Sequence, residues 1–256
     1  MIIKKIEIKD KKVNIILDDL SSFEIRLETY LNNEILLDAN IDDNKIEMLK
    51  KEDNVNQVKG LLIKKISQKR LSKKECFLFL IENNIEVKES QSIVEELEKM
   101  FLINDIELAE IIVNTLVFNK KGINKIKEKL NERLIYLDYD SVIEKFIDKE
   151  KYESNIHYQL DKYFKLGSKK SCNDLKKYLC QKMIDCGYRK EEFISFIDSY
   201  EVDEYSLIKT EINKFFKKNQ INKENIAKIT KKLLSKGFNY GIIKDVVREC
   251  VNDEIN

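Results

Sequence analysis

Few residues of this chain could carry out covalent chemistry. The single histidine, His157, lies among Ile156, Tyr158 and Leu160, and no Ser/His/Asp arrangement can be assembled around it. No P-loop, GxGxxG or HExxH motif occurs either. We therefore predict that the protein is not an enzyme and that His157 is a packed or surface side chain.

Two sets of side chains could be imagined as metal sites. They are Cys172, Cys180 and Cys186 with His157, and the pairs Asp18–Asp19 and Asp42–Asp43. The cysteine spacing does not fit a zinc knuckle, and acidic pairs near turns usually cap helices or keep a surface soluble. The five cysteines form no CxxC pair, which is typical of free thiols in a reducing cytosol. We predict no metal and no cofactor.

Basic residues are clustered, although the formal net charge is only +1. Seven basic and no acidic residues lie between positions 54 and 74, and basic residues dominate again at 120–133, 162–182 and 209–236. Acid-rich segments, such as 95–98 and 191–198, lie between them. If the segments stack in register, they form a basic stripe and an acidic edge. The stripe could bind DNA phosphates or acidic patches of a protein, or the lysines could simply be solvated helix faces.

The elements that position these charges are mainly helical. The chain has no proline and six glycines, which disfavours an all-β fold. Apolar residues recur at helical spacing from Val55 onward, and Tyr and Phe follow this core spacing rather than forming an exposed stacking platform. The apolar residues that follow each second helix lie roughly 50 residues apart, at Ile85, Ile135, Tyr188 and Phe238. Gly187 and Gly237 are predicted C-caps in this pattern.

We therefore predict an all-α tandem array of four three-helix repeats, elongated and curved, behind a small β-containing N-terminal module. The module spans 1–53, with strands at 2–8 and 12–17, a third strand or a helix within 22–32, and a short helix at 41–51 capped by Asp42 or Asp43. The repeats span 54–103, 104–150, 151–201 and 202–256.

The segment 104–146 is central to this prediction. Asp105 is its expected N-cap. The apolar face of its first helix is expected at Leu108, Ile111, Ile112, Thr115 and Leu116. In the preceding repeat, Phe101 is expected to belong to the third helix.

No segment predicts membrane insertion or export. The longest apolar run, 76–81, is too short to span a bilayer, and the N-terminus has charges from position 4 and no apolar h-region. We expect a cytoplasmic protein.

The central segment resembles the RecX regulatory proteins, a family of modulators of the bacterial recombinase RecA. The residues that match the family motif are Ser72, Glu75, Asp105, Ala109, Lys121, Gly122, Ile126, Leu130 and Ile135. The sequence departs from the motif at Asn104, where the family has an acidic residue, and it lacks the arginines often found before Lys-Gly. These motif positions are expected to be caps, turns and core.

The resemblance implies a monomeric, non-enzymatic regulator of recombination, DNA repair and the SOS response that binds the RecA–DNA filament and inhibits it. Two alternatives remain open: a helical scaffold for an unrelated protein, and direct binding of single- or double-stranded DNA through helix-turn-helix-like units. We expect neither a membrane nor a small-molecule ligand. The candidate contact residues, taken from the charge clusters, are Lys64, Lys65, Lys69, Arg70, Lys120, Lys121, Lys125, Lys169, Lys170, Lys176 and Lys177.

Overall fold

A computed structural model describes residues 1–253, which contain thirteen helices and three strands. The predicted fold class, helical with a small N-terminal sheet, is therefore confirmed. No helix in the described range is long and apolar enough to cross a membrane. The last three residues of the fourth predicted repeat lie outside that range.

The bounds of the elements are as follows. The N-terminal elements are β1 (Ile3–Lys9), β2 (Lys12–Leu17), β3 (Ser22–Arg26) and α1 (Leu27–Asn32). The helices α2 (Asp43–Gln68), α3 (Lys73–Glu82) and α4 (Val87–Lys99) follow, then α5 (Asp105–Phe118), α6 (Ile123–Glu132) and α7 (Tyr139–Phe146). The remaining helices are α8 (Lys149–Gly167), α9 (Cys172–Asp185), α10 (Lys190–Ile197), α11 (Glu204–Phe216), α12 (Lys223–Ser235) and α13 (Tyr240–Asp253).

The three strands form one antiparallel sheet in the order β1-β2-β3. Lys9 pairs with Lys12 across a two-residue turn in which Asp10 has a left-handed backbone (φ 55°). Alternate residues of β2, such as Ile15, are buried, as a one-sided sheet requires. Both alternatives that the sequence left open for residues 22–32 occur, because β3 runs directly into α1.

Helix α2 is longer than the sequence predicted. Asp42 is its N-cap, as expected, and accepts the Lys45 N–H at 2.8 Å. The helix then continues without a break to Gln68. The expectation of a short helix ending at Lys51 is therefore wrong, and the predicted boundary between residues 53 and 54 lies inside a helix.

The two ends of α2 pack in different cores. Ile46 and Leu49 are buried with the sheet, whereas Val58 and Leu62 are buried with residues of α3 and α4. The charged run at 50–54 interrupts the apolar pattern in the sequence, but nothing in it ends a helix, because it contains neither glycine nor proline. One helix therefore serves both cores.

The chain divides into two compact units. The first comprises residues 1–108 and 133–135, and the second comprises residues 109–132 and those from 136 onward. Within the first unit, α2, α3 and α4 share one core around Leu62, Leu80 and Leu97. Within the second, α11, α12 and α13 share a core that includes Ile212 and Leu233. The count of four repeats stays a prediction.

The turns after α3, α6, α9 and α12 share a backbone conformation. The residue in the left-handed region of each turn is Asn84, Leu134, Gly187 or Gly237. The next residue is buried in every case, and these residues are Ile85, Ile135, Tyr188 and Phe238. The Tyr188 N–H donates to the Met183 carbonyl at 3.1 Å, and the Phe238 N–H donates to the Leu233 carbonyl at 3.3 Å. The two predicted glycine C-caps are thus confirmed.

The N-cap of α5 differs from the prediction. Asn104 Oδ1 accepts the N–H groups of Ile106 at 3.0 Å and Glu107 at 3.2 Å, so Asn104 is the cap. The prediction of Asp105 was wrong because Asn and Asp are comparable caps and here they are adjacent. The departure from the family motif at Asn104 is therefore compatible with helix initiation.

The buried face of α5 is also rotated from the predicted one. Ala109 and Val113 are fully buried, as is most of Val117. Ile111 is 39% exposed and Thr115 is exposed, so both were assigned to the core wrongly. Because α5 is apolar on several sides, its sequence does not specify a single face.

Several aromatic residues lie outside the core. Phe101, expected in the third helix, follows the end of α4 in a left-handed turn (φ 58°) and is 89% exposed. Phe118, Tyr136, Tyr158 and Tyr240 are also more than half exposed. The expectation that the aromatic residues follow core spacing is therefore wrong for these five.

Candidate partner-binding surface

Helix α3 begins with a capping box that is tied to Arg133. Ser72 Oγ accepts the Glu75 N–H at 3.1 Å, and Glu75 Oε2 accepts the Ser72 N–H at 2.7 Å. Arg133 donates to both carboxylate oxygens of Glu75, at 2.8 and 2.9 Å, and to the Arg70 carbonyl at 2.6 Å. Burial acts to raise the pKa of Glu75, but the Arg133 and Ser72 hydrogen bonds outweigh it and lower this pKa.

Asp105 holds the start of the same helix. Its Oδ1 accepts the Lys73 N–H at 2.9 Å, so a residue of α5 satisfies one of the free amides of α3. Burial raises the pKa of Asp105, which the hydrogen bond from Lys73 only partly offsets. Asp105 is therefore a tertiary cap for α3 rather than a local cap for α5.

The same arrangement recurs at two other helix starts in the second unit. Tyr152 of α8 accepts the N–H of Ile123, the first residue of α6, at 3.1 Å. Glu204 of α11 accepts the N–H of Cys172, the first residue of α9, at 2.6 Å. In all three cases a side chain from the first turn of a later helix, about thirty residues on, caps the first residue of an earlier one.

Gly122 lies where two backbones touch. Its N–H donates to the Cys186 carbonyl at 2.9 Å, and the Asn124 N–H donates to the Gly187 carbonyl at 2.9 Å. A Cβ at Gly122 would lie 2.2 Å from the Gly187 carbonyl carbon and the Tyr188 nitrogen. The motif glycine is therefore required for the close approach of the α6 start to the turn after α9.

The predicted cations of the first unit lie at the end of α2 and in the turn that follows. They are Lys64, Lys65, Lys69 and Arg70, and all four are exposed. The Lys65 ammonium lies 4.5 Å from the centre of the Phe79 ring, a cation–π contact. Arg70 pairs with Glu107 at 2.5 Å.

The predicted cations of the second unit lie around the starts of α6 and α9. They are Lys120, Lys121 and Lys125, and Lys169, Lys170, Lys176 and Lys177. Lys125 pairs with Glu128 at 2.5 Å and Lys176 with Asp198 at 2.7 Å. Hydrogen bonds to these carboxylates raise the pKa of both lysines.

The eleven predicted cations thus differ in the contacts that their charged groups make within the protein. Three pair with carboxylates and three lie over aromatic rings. Among the residues that the structure describes, the other five form neither an ion pair nor a ring contact, namely Lys64, Lys69, Lys121, Lys169 and Lys177. Exposed ion pairs contribute only about 0–1 kcal/mol each, so a partner could also recruit the paired residues.

The acid-rich helices α4 and α10 do not form purely acidic edges. Glu96 of α4 pairs with Lys59 of α2 at 2.6 Å, and Glu98 pairs with Lys73 of α3. Asp198, directly after α10, pairs with Lys176. Part of the negative charge is therefore used within each unit.

The aromatic partners of the lysines were missed in the sequence. Lys120 lies 4.6 Å from the centre of the Tyr158 ring, and Lys170 lies 5.1 Å from that of Tyr178. Lys182 also lies over Tyr178, at 5.9 Å. The first of these pairs is 38 residues apart, so helical spacing along one helix gives no signal for it.

The residues considered for catalysis or metal binding contact neighbouring residues of the fold. His157 is exposed and its ring lies 4.5 Å from that of Phe196. Cys186 lies 3.2 Å from the Tyr163 hydroxyl, and Asp19 accepts the Ser21 N–H at 2.9 Å. Among the described residues, no three His, Cys, Asp or Glu side chains are close enough to hold a metal ion.

Known proteins resemble this chain over most of its length, although no single family model does. No family model matches the chain. A regulatory protein RecX of Listeria monocytogenes serotype 4a (strain HCC23) is 28% identical over 251 residues, covering 93% of this chain and 92% of the relative. A regulatory protein RecX of Lactococcus lactis subsp. cremoris (strain SK11) is 27% identical over 247 residues, with 91% and 92% coverage.

A solved structure shares the fold. A crystal structure of a regulatory protein RecX superposes with a TM-score of 0.63 and 18% identity, covering 77% of this chain and 98% of that one. The two relatives thus match at least 91% of this chain in sequence, and the solved structure matches 77% of it in fold.

Proposed function

Because this chain belongs to the RecX family of regulatory proteins, we propose that it binds filaments of the recombinase RecA on DNA and restrains them. Bound in the filament groove or at a filament end, it limits ATP hydrolysis, filament extension and strand exchange. It thereby regulates recombination and DNA repair by binding alone, without catalysis, a metal or a cofactor.

The observation that supports this proposal most directly is the set of five lysines without ion pairs. Lys64 and Lys69 belong to the first unit, and Lys121, Lys169 and Lys177 belong to the second. Ammonium groups that form no internal ion pair can neutralise DNA phosphates or protein carboxylates without first breaking such a pair. Because such groups occur in both units, weak contacts can add to a higher avidity.

Titration of the protein into RecA that is hydrolysing ATP on single-stranded DNA tests the proposal. We expect hydrolysis to be inhibited well below one protein per RecA, because a bound regulator blocks extension beyond the protomers that it touches. An absence of inhibition at excess protein would contradict the proposal and favour a scaffold for another partner.

Direct DNA binding is a second candidate, favoured by the lysine–tyrosine pairs. Tyr158 is 54% exposed beneath Lys120, and Tyr178 lies beneath Lys170. Aromatic rings next to cations can stack bases while the cations contact phosphates. A titration with DNA alone separates the candidates, since direct binding needs no RecA and weakens steeply with salt.

Charge reversal provides the residue-level test. The triple variant Lys120→Glu, Lys121→Glu and Lys125→Glu is expected to weaken filament binding while circular dichroism shows an unchanged helix content. All three side chains are at least partly solvent-accessible, so the fold tolerates the changes. Unchanged filament binding would remove this cluster from the proposed surface.

A further inference from the structure

A groove in the second unit has a chemistry opposite to that of the lysine clusters. It lies among α7, α8 and α10 and encloses about 540 Å³. Its apolar lining comes from Ile143, Ile147, Ile156 and Phe196. Phe196 is 36% exposed, so an aromatic surface is accessible there.

The charged lining of the groove is predominantly acidic. It has four carboxylates, from Asp140, Glu144, Glu153 and Glu192, against two cations, from Lys149 and Arg189. Asp140 already pairs with Lys127 at 2.7 Å and with Arg189 at 3.3 Å. In the described part of the chain, Glu144 and Glu153 form no ion pair, and both are exposed. The groove therefore offers an apolar surface beside two uncompensated carboxylates.

Internal contacts hold this groove in shape. The Tyr152 hydroxyl accepts the Ile123 N–H at 3.1 Å and donates to the Glu192 carboxylate at 3.0 Å. Glu192 also accepts the Arg189 N–H at 2.7 Å, and the Tyr152 ring packs on that of Tyr188. Because these groups bond to one another, a ligand has little to reorganise.

We propose that this groove docks a basic, amphipathic segment of a protein partner. An apolar side chain of the segment contacts Ile147 and Phe196 above the buried Ile143 and Ile156, and an adjacent lysine or arginine lies between Glu144 and Glu153. A nucleic acid strand is disfavoured here, since its phosphates would face these carboxylates. The inference rests on the proposed function in one respect, because it takes the partner to be a RecA protomer.

The groove and the lysine clusters then act on different parts of one target. The lysines contact phosphates or acidic patches, and the groove recognises the recombinase protein itself. Binding that depends on both surfaces selects RecA-coated DNA over bare DNA, because only the coated strand satisfies both.

The double variant Glu144→Lys and Glu153→Lys tests the inference in the full chain. The matched control is Glu82→Lys with Glu95→Lys, two exposed glutamates on α3 and α4 that form no ion pair with any described residue. Both variants change the net charge equally. Their affinity for RecA filaments on poly(dT) is measured by fluorescence anisotropy of the labelled protein.

We expect the groove variant to lose at least about tenfold in affinity, a difference of roughly 1.4 kcal/mol, and the control to stay within about twofold of the wild type. Weaker attraction to DNA cannot explain such a loss, because the variant is more positive than the wild type. Phe196→Ala, which removes the accessible aromatic surface of the groove, is expected to weaken binding in the same direction while circular dichroism shows an unchanged helix content.

The outcomes are distinguishable. If the wild type does not bind RecA filaments, the proposed function fails and the inference fails with it. If the wild type binds and the groove variant binds equally well, the inference alone is overturned. A wild-type dimer that the groove variant converts to a monomer in light scattering would assign the groove to a second copy of this chain and would also overturn it.

Discussion

Substitution of Gly122 by alanine should destabilise the second unit strongly. The added Cβ would lie 2.2 Å from backbone atoms of Gly187 and Tyr188, which cannot rotate away as a flexible side chain could. The two backbones must separate, which strains the two hydrogen bonds between them, from Gly122 to Cys186 and from Asn124 to Gly187.

The size of the effect follows from these contacts. Overpacking typically costs about 1–3 kcal/mol, and each lost backbone hydrogen bond costs about 0.5–1.5 kcal/mol. Together, with two such hydrogen bonds, they lower the free energy of unfolding by about 2–6 kcal/mol. Urea unfolding followed by circular dichroism at 222 nm measures this loss.

Gly60→Ala is the matched control. Gly60 lies within α2, and no atom lies within 4 Å of a Cβ built there. Alanine is a better helix former than glycine, so this variant should gain about 0.5–1 kcal/mol. A Gly122→Ala protein that unfolds at the same urea concentration as the wild type would refute the assignment of Gly122 to a backbone contact.

Two further predictions concern the caps of α3, and urea unfolding across a pH series measures both. The pKa of Glu75 is lowered in the folded state, so its carboxylate stabilises the fold above the unfolded pKa, near 4.5, and this stability is lost as the pH falls through the folded value. The wild type should therefore lose its stability advantage over Glu75→Gln as the pH falls below about 4.5. A difference in stability that stays constant with pH would contradict this. The pKa of Asp105 is raised by burial, so its charge opposes folding at neutral pH. Asp105→Asn keeps an acceptor for the Lys73 N–H, so this variant should be at least as stable as the wild type at pH 7. Asp105→Ala has no such acceptor and should lose about 1 kcal/mol of stability. Equal losses of stability in both variants would be inconsistent with a cap.

The sequence predicts those features of the fold that depend on local pattern. The strand at 12–17 and the glycine C-caps at 187 and 237 are predicted correctly, because β-branched residues favour strands and glycine favours left-handed turns. The N-cap of α5 is missed by one residue because neighbouring Asn104 and Asp105 are equivalent candidates. The length of α2 is missed because the charged run at 50–54 interrupts the apolar pattern without ending the helix.

Contacts between distant residues are beyond this kind of prediction. Asp105 caps α3 across 32 residues, and Arg133 reaches Glu75 across 58. Neither spacing has a local signature, since helical periodicity links only residues three or four apart. The family motif includes Glu75 and Asp105 but not Arg133, and the physical roles of all three follow only from the structure.

The candidate binding surface stays a prediction, and charge counting defines it only coarsely. Counting charges locates the lysine clusters, yet it cannot separate Lys121, which forms no ion pair in the described range, from Lys125, which pairs with Glu128. It also cannot find the groove beside Phe196, because the lining residues lie up to 73 residues apart in the chain, from Ile123 to Phe196. The charges in the sequence therefore predict that the partner is acidic, and the structure identifies which lysines form no internal ion pair.

A paired comparison of affinities tests whether the lysines without internal ion pairs bind the RecA filament. The variant Lys121→Glu, Lys169→Glu and Lys177→Glu is compared with Lys9→Glu, Lys11→Glu and Lys50→Glu, which reverses three exposed lysines of the N-terminal region. Affinity for RecA filaments on poly(dT) is measured over a series of salt concentrations. We predict that the first variant binds at least about tenfold more weakly, with a slope of log affinity against log salt shallower by about 2–3 if the lysines contact phosphates, while the second binds like the wild type. Equal affinities for the two variants would contradict the account.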